Sequence, residues 1–317
     1  LHGAKAVSHF AWFEGDETAG VGEEGYGFAL MHLDFTPFET AIRIGEIVCE
    51  SENFKELWSC RPERNVAFYY PRLSAMLGKS NSKEMYGLYA IMSDCGFGID
   101  SLDCNFLTEK LDNYKILVIP PAPYIEKAAQ QKILEFVKKG GIVIASSRTL
   151  SDEWNEKDSV PELSRIFAEN GDPADYSHLF KSVNKYGRGA VCLVGEEIGR
   201  AYRQDWNIGA ITQAIPIDFD RTENADLRKA LLSFLEKEYA VKPYSFADKE
   251  GIETAVISND KAKYLMIINH RPDAVKAAVT LNLSVGKAVL CDILNFKEAG
   301  LETTGNESKI TLDMEPH

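Results

Sequence analysis

The residues with the clearest chemical potential stand near the start of the chain. There an apolar, aromatic run, Ala4 to Phe13, leads without a break into Glu14, Asp16 and Glu17 and then, past several glycines, into Glu23 and Glu24. Carboxyl groups act as general acids and bases when a fold holds them against a substrate. Loops at the carboxyl end of barrel strands are where α/β barrels present such groups. The competing reading is that these five acids are solvated loop charges, since charged side chains ordinarily face water. A second grouping is Cys192 with His178 and Glu196, the thiol, imidazole and carboxylate that nucleophilic catalysis combines. The sharp turn that exposes a nucleophile wants flanking glycines, whereas Cys192 lies inside the apolar run Ala190 to Val194, where a cysteine behaves as a small core hydrophobe. His178, His270 and His317 have no paired acidic ligand at metal spacing, and no phosphate-cradling glycine motif follows any strand. No metal or other cofactor is therefore expected.

These groups need elements to hold them. The Ala4 to Phe13 strand, its acidic glycine-rich loop and an amphipathic helix from about Phe38 to Glu50 form residues 1–60. One strand and one helix cannot bury both their faces alone. The segment therefore reads as the last βα unit of an incomplete (β/α)8 barrel, with the earlier strands expected upstream.

From Asn65 the pattern becomes regular. Strands are expected at Asn65 to Pro71, Ile99 to Leu102, Lys115 to Pro120, Ile142 to Ser147 and Gly189 to Gly195. Helices are expected at Lys83 to Asp94, Glu126 to Lys139, Val160 to Glu169 and Asn224 to Tyr239, with Asn224 as a cap. Strands apolar on both faces, alternating with helices, imply a parallel sheet covered on two sides. The fold class is thus α/β, with a flavodoxin-like three-layer domain over residues 61–243. From Ser245 the period changes to two, and five short strands are expected at Glu253 to Ser258, Lys263 to His270, Ala274 to Leu281, Lys287 to Leu294 and Ser308 to Met314. They make residues 244–317 a small antiparallel β-sandwich, with fewer strands than such a sandwich usually has and so expected to be truncated.

Composition narrows the partners. With 35 Lys and Arg against 48 Asp and Glu, the formal net charge is −13. Nucleic acid and anionic membrane surfaces both reward basic patches, so neither is expected. Six cysteines are scattered without a CxxC pair, unlike a zinc site or a dense disulfide framework, which favours a reducing, cytoplasmic setting.

A barrel end, a flavodoxin-like domain and a short sandwich, in that order, resemble the carboxy-terminal half of the family 42 β-galactosidases. The stretches that carry the resemblance are HFAWFEGDE with GEEGYGFALMHLDFTP, then NVAFYYP, then LDNYKILVIPPAPYIEKAAQQKILEFVKKGGIVIASS, then YLMIINHRPDAVKAAVTL. In that family a catalytic barrel is followed by a trimerisation domain with a class I amidotransferase-like fold and a small β domain. The resemblance implies that Trp12 lines a sugar subsite and that Glu24 or Glu23 contacts the sugar, with Glu14 on the same rim. Gly27 stands where the family has a histidine, and His32 comes five residues later, a departure that bears on galactose specificity.

A retaining glycosidase needs two carboxyl groups about 5–5.5 Å apart, and in the family these lie on earlier barrel strands. The implied function is the non-catalytic portion of a glycoside hydrolase. It would assemble subunits, as a trimer by resemblance, and complete the rim of a carbohydrate site. The alternative is an amidotransferase-like enzyme, or a small-molecule-binding domain, using Cys192.

Overall fold

The structure, a computed structural model, describes residues 11–13, 29–31, 36–37, 39–51, 57, 59–79, 81–146, 150–195, 197–202, 222–283, 290–292, 297–299, 302–304 and 307–314. Its chain divides into two compact units, Leu1–Pro62 with Ile257–Tyr264, and Glu63–Val256 with Leu265–His317.

In the first unit β1 (Ala11–Phe13) pairs in parallel with β2 (Ala29–Met31), Ala11 opposite Ala29 and Phe13 opposite Met31. The sequence reading runs from the acidic loop straight to a helix and misses β2, which is too short for a period-two signal. The helix itself, α1 (Glu39–Ser51), is where the spacing of its apolar residues puts it, within a residue at each end. Ile42 and Val48 on α1 are half exposed. β3 (Arg61–Pro62) pairs antiparallel with Ser258 and Ile257.

The second unit opens with β4 (Val66–Tyr69), α2 (Arg72–Met76), α3 (Ser82–Asp94) and β5 (Ile99–Leu102). It continues through α4 (Cys104–Lys110), β6 (Ile116–Ile119), α5 (Lys127–Lys139), β7 (Ile142–Ala145) and α6 (Pro161–Ile166). β8 (Phe180–Tyr186), β9 (Gly189–Val194), α7 (Ile198–Tyr202) and α8 (Thr222–Tyr239) complete the layers. The six-stranded sheet has the order β5-β4-β6-β7-β9-β8; its first five strands are parallel and β8 is antiparallel.

Every residue of β4, β6, β7 and β9 is buried. Because successive side chains of a strand point to opposite faces, the strands feed two separate cores. Ala67, Tyr69, Leu117, Ile119, Val143 and Val191 pack into one with α4, α5 and α6. Val66, Phe68, Ile116, Val118, Ile144 and Cys192 pack into the other with α3 and α8. This is the expected three-layer α/β arrangement.

Local chemistry sets the helix ends. The side chain of Asn81 accepts from the Glu84 amide at the start of α3, and that of Asp103 accepts from Phe106 at the start of α4. Gly140 ends α5 at φ 115°, a left-handed conformation that suits glycine, with Lys138 and Lys139 beside the free carbonyls. Asn224 falls inside α8 rather than capping it, because the helix begins two residues earlier; its amide instead donates to the Tyr202 carbonyl. β8, a half-exposed strand in a stretch without a clean apolar run, is the one strand of this sheet absent from the sequence reading. On its outer side the Asn184 amide donates to the carbonyls of Ile166 and Ala168, and Ser182 Oγ accepts from the Gly171 amide. Gly171 lies so close that a Cβ there would stand 2.2 Å from the Val183 carbonyl oxygen.

The remaining strands form antiparallel sheets, as the change of period requires. β10 (Ser245–Ala247), β11 (Ile252–Ser258), β12 (Lys263–Asn269), β13 (Val275–Leu281), β14 (Leu290–Asp292), β15 (Lys297–Ala299), β16 (Glu302–Thr304) and β17 (Glu307–Met314) follow in order. A four-stranded sheet has the order β10-β13-β17-β16, with β13 and β17 in register from Val275 opposite Met314 to Leu281 opposite Ser308. β14 and β15 form a separate hairpin. Ala247, Ile252, Ala277, Val279 and Ile310 make a small core of their own. No described helix is long and apolar enough to cross a membrane.

Candidate functional site

Of the residues proposed for a sugar rim, Trp12 lies at the centre of β1, whereas Glu14, Glu23 and Glu24 fall outside the described residues. The Cys192 grouping is directly visible. Cys192 is in the middle of β9, opposite Ile144 on β7 and Val183 on β8, and is fully buried. Burial pushes its thiol up to about 12, opposed by a hydrogen bond with Tyr239. A reactive thiol needs the reverse shift and partial exposure. His178 is exposed on the surface and Glu196 is outside the described residues. The buried strand cysteine is therefore the reading that holds, and Cys192 assembles no nucleophile.

Open α/β sheets bind ligands at the carboxyl ends of their strands, where neighbouring connections leave in opposite directions. Here that point lies between β4 and β6, because β5 follows β4 on one side and β6 on the other. The residues gathered there close on one another. Tyr69 Oη donates to Glu126 Oε2 at 2.8 Å, and burial together with that carboxylate holds the phenol far above its ordinary pKa. The neighbouring Cys104 thiol is raised to about 11, by burial first and by Glu126 next. Both groups are fixed as protonated donors, unsuited to act as a base or nucleophile near neutrality.

Beside them the buried Ser74 Oγ donates to the Tyr124 carbonyl at 2.9 Å and accepts from the Tyr124 amide at 3.0 Å. Arg72 sits 3.7 Å from Asp103, the residue that caps α4. Tyr124 also forms a bridge with Ser151, and Ser151 another with Lys157. These bonds join α2, the connection after β6 and the 150–158 loop into one assembly along the sheet edge. The sequence reading missed this network because its members, at positions 69, 74, 103, 124 and 126, share no motif and meet only through the sheet topology.

Two other features bear on ligand chemistry. A void of about 20 Å³ lies between the sheet and α3, lined by apolar side chains such as Leu88, Ile91, Val118, Ile144 and Leu231. It has room for one water and no polar group to hold it. Among the described residues no group of three or more His, Cys, Asp or Glu could hold a metal ion.

Large apolar side chains are exposed along the carboxyl edge: Tyr70 just after β4, Met76 and Leu77 at the end of α2, Phe106 on α4 and Trp154 in the 150–158 loop. Met76 and Trp154 each keep 79% of their surface in contact with solvent. What this edge can do chemically is bind another apolar surface.

Residues 78–163 match a family model described as "Beta-galactosidase trimerisation domain". No curated protein matches the sequence. Among solved structures, a beta-galactosidase from Bacillus circulans sp. alkalophilus is 17% identical, with a TM-score of 0.62 over 97% of this chain and 48% of that one. A catalytic variant of Gan42B, a GH42 beta-galactosidase from G. stearothermophilus, is 14% identical, with a TM-score of 0.59 over 96% of this chain and 46% of that one. An apo exo-carrageenase of GH42 from Bacteroides ovatus is 16% identical, with a TM-score of 0.51 over 94% of this chain and 34% of that one. At these identities the likeness is one of fold. The chain spans slightly less than half the length of the two β-galactosidase structures. The resemblance to family 42 β-galactosidases drawn from the sequence is borne out by the matched segment and by the fold.

Proposed function

We propose that this chain is the assembly portion of a glycoside hydrolase similar to the family 42 β-galactosidases, and that its middle domain holds copies of the chain together as a trimer. The observation that carries the proposal is the match of residues 78–163 to a β-galactosidase trimerisation domain. It is supported by the chemistry of the sheet edge, where Tyr69 and Cys104 are locked in their protonated forms while large apolar side chains stay exposed. In this reading residues 1–60 are the closing βα unit of a (β/α)8 barrel, residues 61–243 the trimerisation domain and residues 244–317 a small β-sandwich domain.

The barrel segment contributes the rim of a carbohydrate site, with Trp12 stacking on a sugar face and Glu14, Glu23 and Glu24 as hydrogen-bond acceptors. The acid/base and nucleophile of the parent reaction, hydrolysis of β-galactosides or related glycosides, belong to barrel strands other than these. Neither nucleic acid nor a membrane is a partner, in keeping with the net charge of −13. The scattered cysteines suit the cytoplasm.

Light scattering over a concentration series tests the assembly role. A mass three times 35.4 kDa is expected, and a monomer at all concentrations would overturn it. Turnover of an aryl galactoside by this chain, lost on Glu14→Gln, Glu23→Gln or Glu24→Gln, would overturn the assignment of catalysis to other strands.

A further inference from the structure

We infer that the interface between copies is heterologous and lies on the carboxyl edge of the parallel sheet, with Trp154 of one copy packing on the Met76–Leu77 turn of the next. This rests on the self-association reading above and places its contact surface.

Trp154 is held outward by the backbone around it. The buried Asp152 accepts from the amides of Trp154 and Glu156 through Oδ1, both at 2.9 Å. Asn155 and Asp158 take positive φ values of 62° and 57°. Asn and Asp adopt this left-handed conformation more readily than most residues, and it fixes the turn that carries the tryptophan. That tryptophan is 79% exposed and is of the residue type most enriched among interface hot spots. Trp154 also falls within the segment that matches a trimerisation domain.

The second half of the contact is α2. Met76 and Leu77 are exposed and stand two and three residues beyond Ser74, which ties α2 to Tyr124 and, through the Tyr124–Ser151 bridge, to the same loop system. The two apolar features therefore belong to one edge of the sheet.

Charge sets the pairing. In the sequence Trp154 is flanked by the exposed acids Glu153, Glu156 and Asp158, with Lys157 among them, whereas the exposed charged residues nearest Met76 and Leu77 are the basic Arg72, Lys79 and Lys83, Arg72 also pairing with Asp103. Acidic and basic patches on one edge can meet reciprocally across a two-fold axis or head to tail, and the trimer of the self-association reading selects the head-to-tail arrangement. A head-to-tail contact of an acidic patch with a basic one closes into a ring when the rotation allows. A trimer is such a ring.

Solution mass over a concentration series is the test, applied to the full chain and to Trp154→Ala, Leu77→Asp, Glu156→Lys, Lys79→Glu and the double variant Glu156→Lys with Lys79→Glu. Far-UV circular dichroism and thermal unfolding check that each variant folds. Removing a hot-spot anchor is expected to raise the concentration at which the trimer dissociates by roughly 30-fold or more. Each charge reversal weakens assembly, and the double variant recovers it. A parent chain that is itself monomeric refutes the self-association reading. A trimeric parent whose Trp154→Ala and Leu77→Asp variants stay trimeric at the same concentrations refutes this placement alone.

Discussion

Replacing Gly87 by alanine asks whether the contact between α3 and α7 is as close as it stands in the fold. Gly87 is buried in α3, and a Cβ built there would lie 1.9 Å from the carbonyl oxygen of Gly199, 2.2 Å from its carbonyl carbon and 2.6 Å from its Cα. All three are backbone atoms, so no side chain can swing aside. On the other helix, a Cβ at Gly199 would meet the Glu84 carbonyl at 2.4 Å. The same junction is held by Glu84, whose carboxylate accepts from the amides of Gly199 at 3.0 Å and Arg200 at 2.8 Å. To admit one methyl group the two backbones must separate by more than an ångström, which breaks or lengthens both bonds.

Overpacking a core costs about 1–3 kcal/mol, and each hydrogen bond to a charged group is worth about 1.5–3 kcal/mol. The intrinsic gain from alanine over glycine in a helix is at most about 1 kcal/mol. A net loss of about 3 kcal/mol or more is expected, a fall in Tm of about 6–12 °C for a domain of this size. Gly45→Ala in α1 is the control, because nothing lies within 4 Å of its Cβ position; it should stabilise by about 0.5–1 kcal/mol. Thermal unfolding followed by circular dichroism measures both. If Gly87→Ala melts within a degree of the parent chain, the close packing of α3 on α7 is wrong.

Thiol labelling of the native chain should modify the exposed Cys49 and leave Cys192 and Cys95, each pushed up to about 12, unreacted until denaturant is added; rapid labelling of Cys192 without unfolding would revive it as a nucleophile. His270 Nε2 lies 2.8 Å from Glu253 Oε2, and this hydrogen bond raises the imidazole pKa against the opposing effect of burial. Since the folded value lies above the unfolded one, the stabilisation is complete below about pH 6.5 and is lost as pH rises through the folded value. NMR titration should find His270 above its ordinary pKa and closer to it in Glu253→Gln, and equal values in the two chains would refute the pairing. Arg228, 6% exposed, donates to the Ala247 carbonyl at 3.0 Å within the buried group that includes Asn224 and Glu250. Truncation leaves the buried Ala247 carbonyl without this donor, a desolvation cost of about 1–3 kcal/mol, so Arg228→Ala should lose about that much in denaturant unfolding. A loss below 1 kcal/mol would mean water already reaches the group.

What could be read from the sequence follows the range of each physical cause. Runs such as Ile116–Ile119 and Ile142–Ala145 are buried on both faces and announce themselves by apolar continuity. Gly140 and Pro161 mark helix boundaries through backbone constraints that act within a residue or two. β8 escapes because it is an edge strand with Lys181 and Lys185 exposed, and its identity depends on pairing with β9. The Tyr69–Glu126 bond joins residues 57 positions apart, a separation no local pattern spans. Trp154 reads in the sequence as one more aromatic; only its exposure distinguishes it from the buried rings.

The closed outer side of β8 has a consequence for how this protein avoids misassembly. An unpaired edge strand offers its amides and carbonyls to any passing chain, and that is how sheets grow into fibrils. Here Asn184 and Ser182 bind the backbone of the 166–171 segment, and Gly171 lies against the Val183 carbonyl. At the opposite edge β5 is four residues long and carries Asp100, which pairs with Arg64 and accepts from Tyr114 Oη. Gly171 crowding the Val183 carbonyl at one edge, and a short strand bearing a charge at the other, both disfavour the addition of another strand. Encounters between copies of this domain, even at the high concentrations that a self-associating chain creates around itself, are thereby steered away from open-ended strand addition.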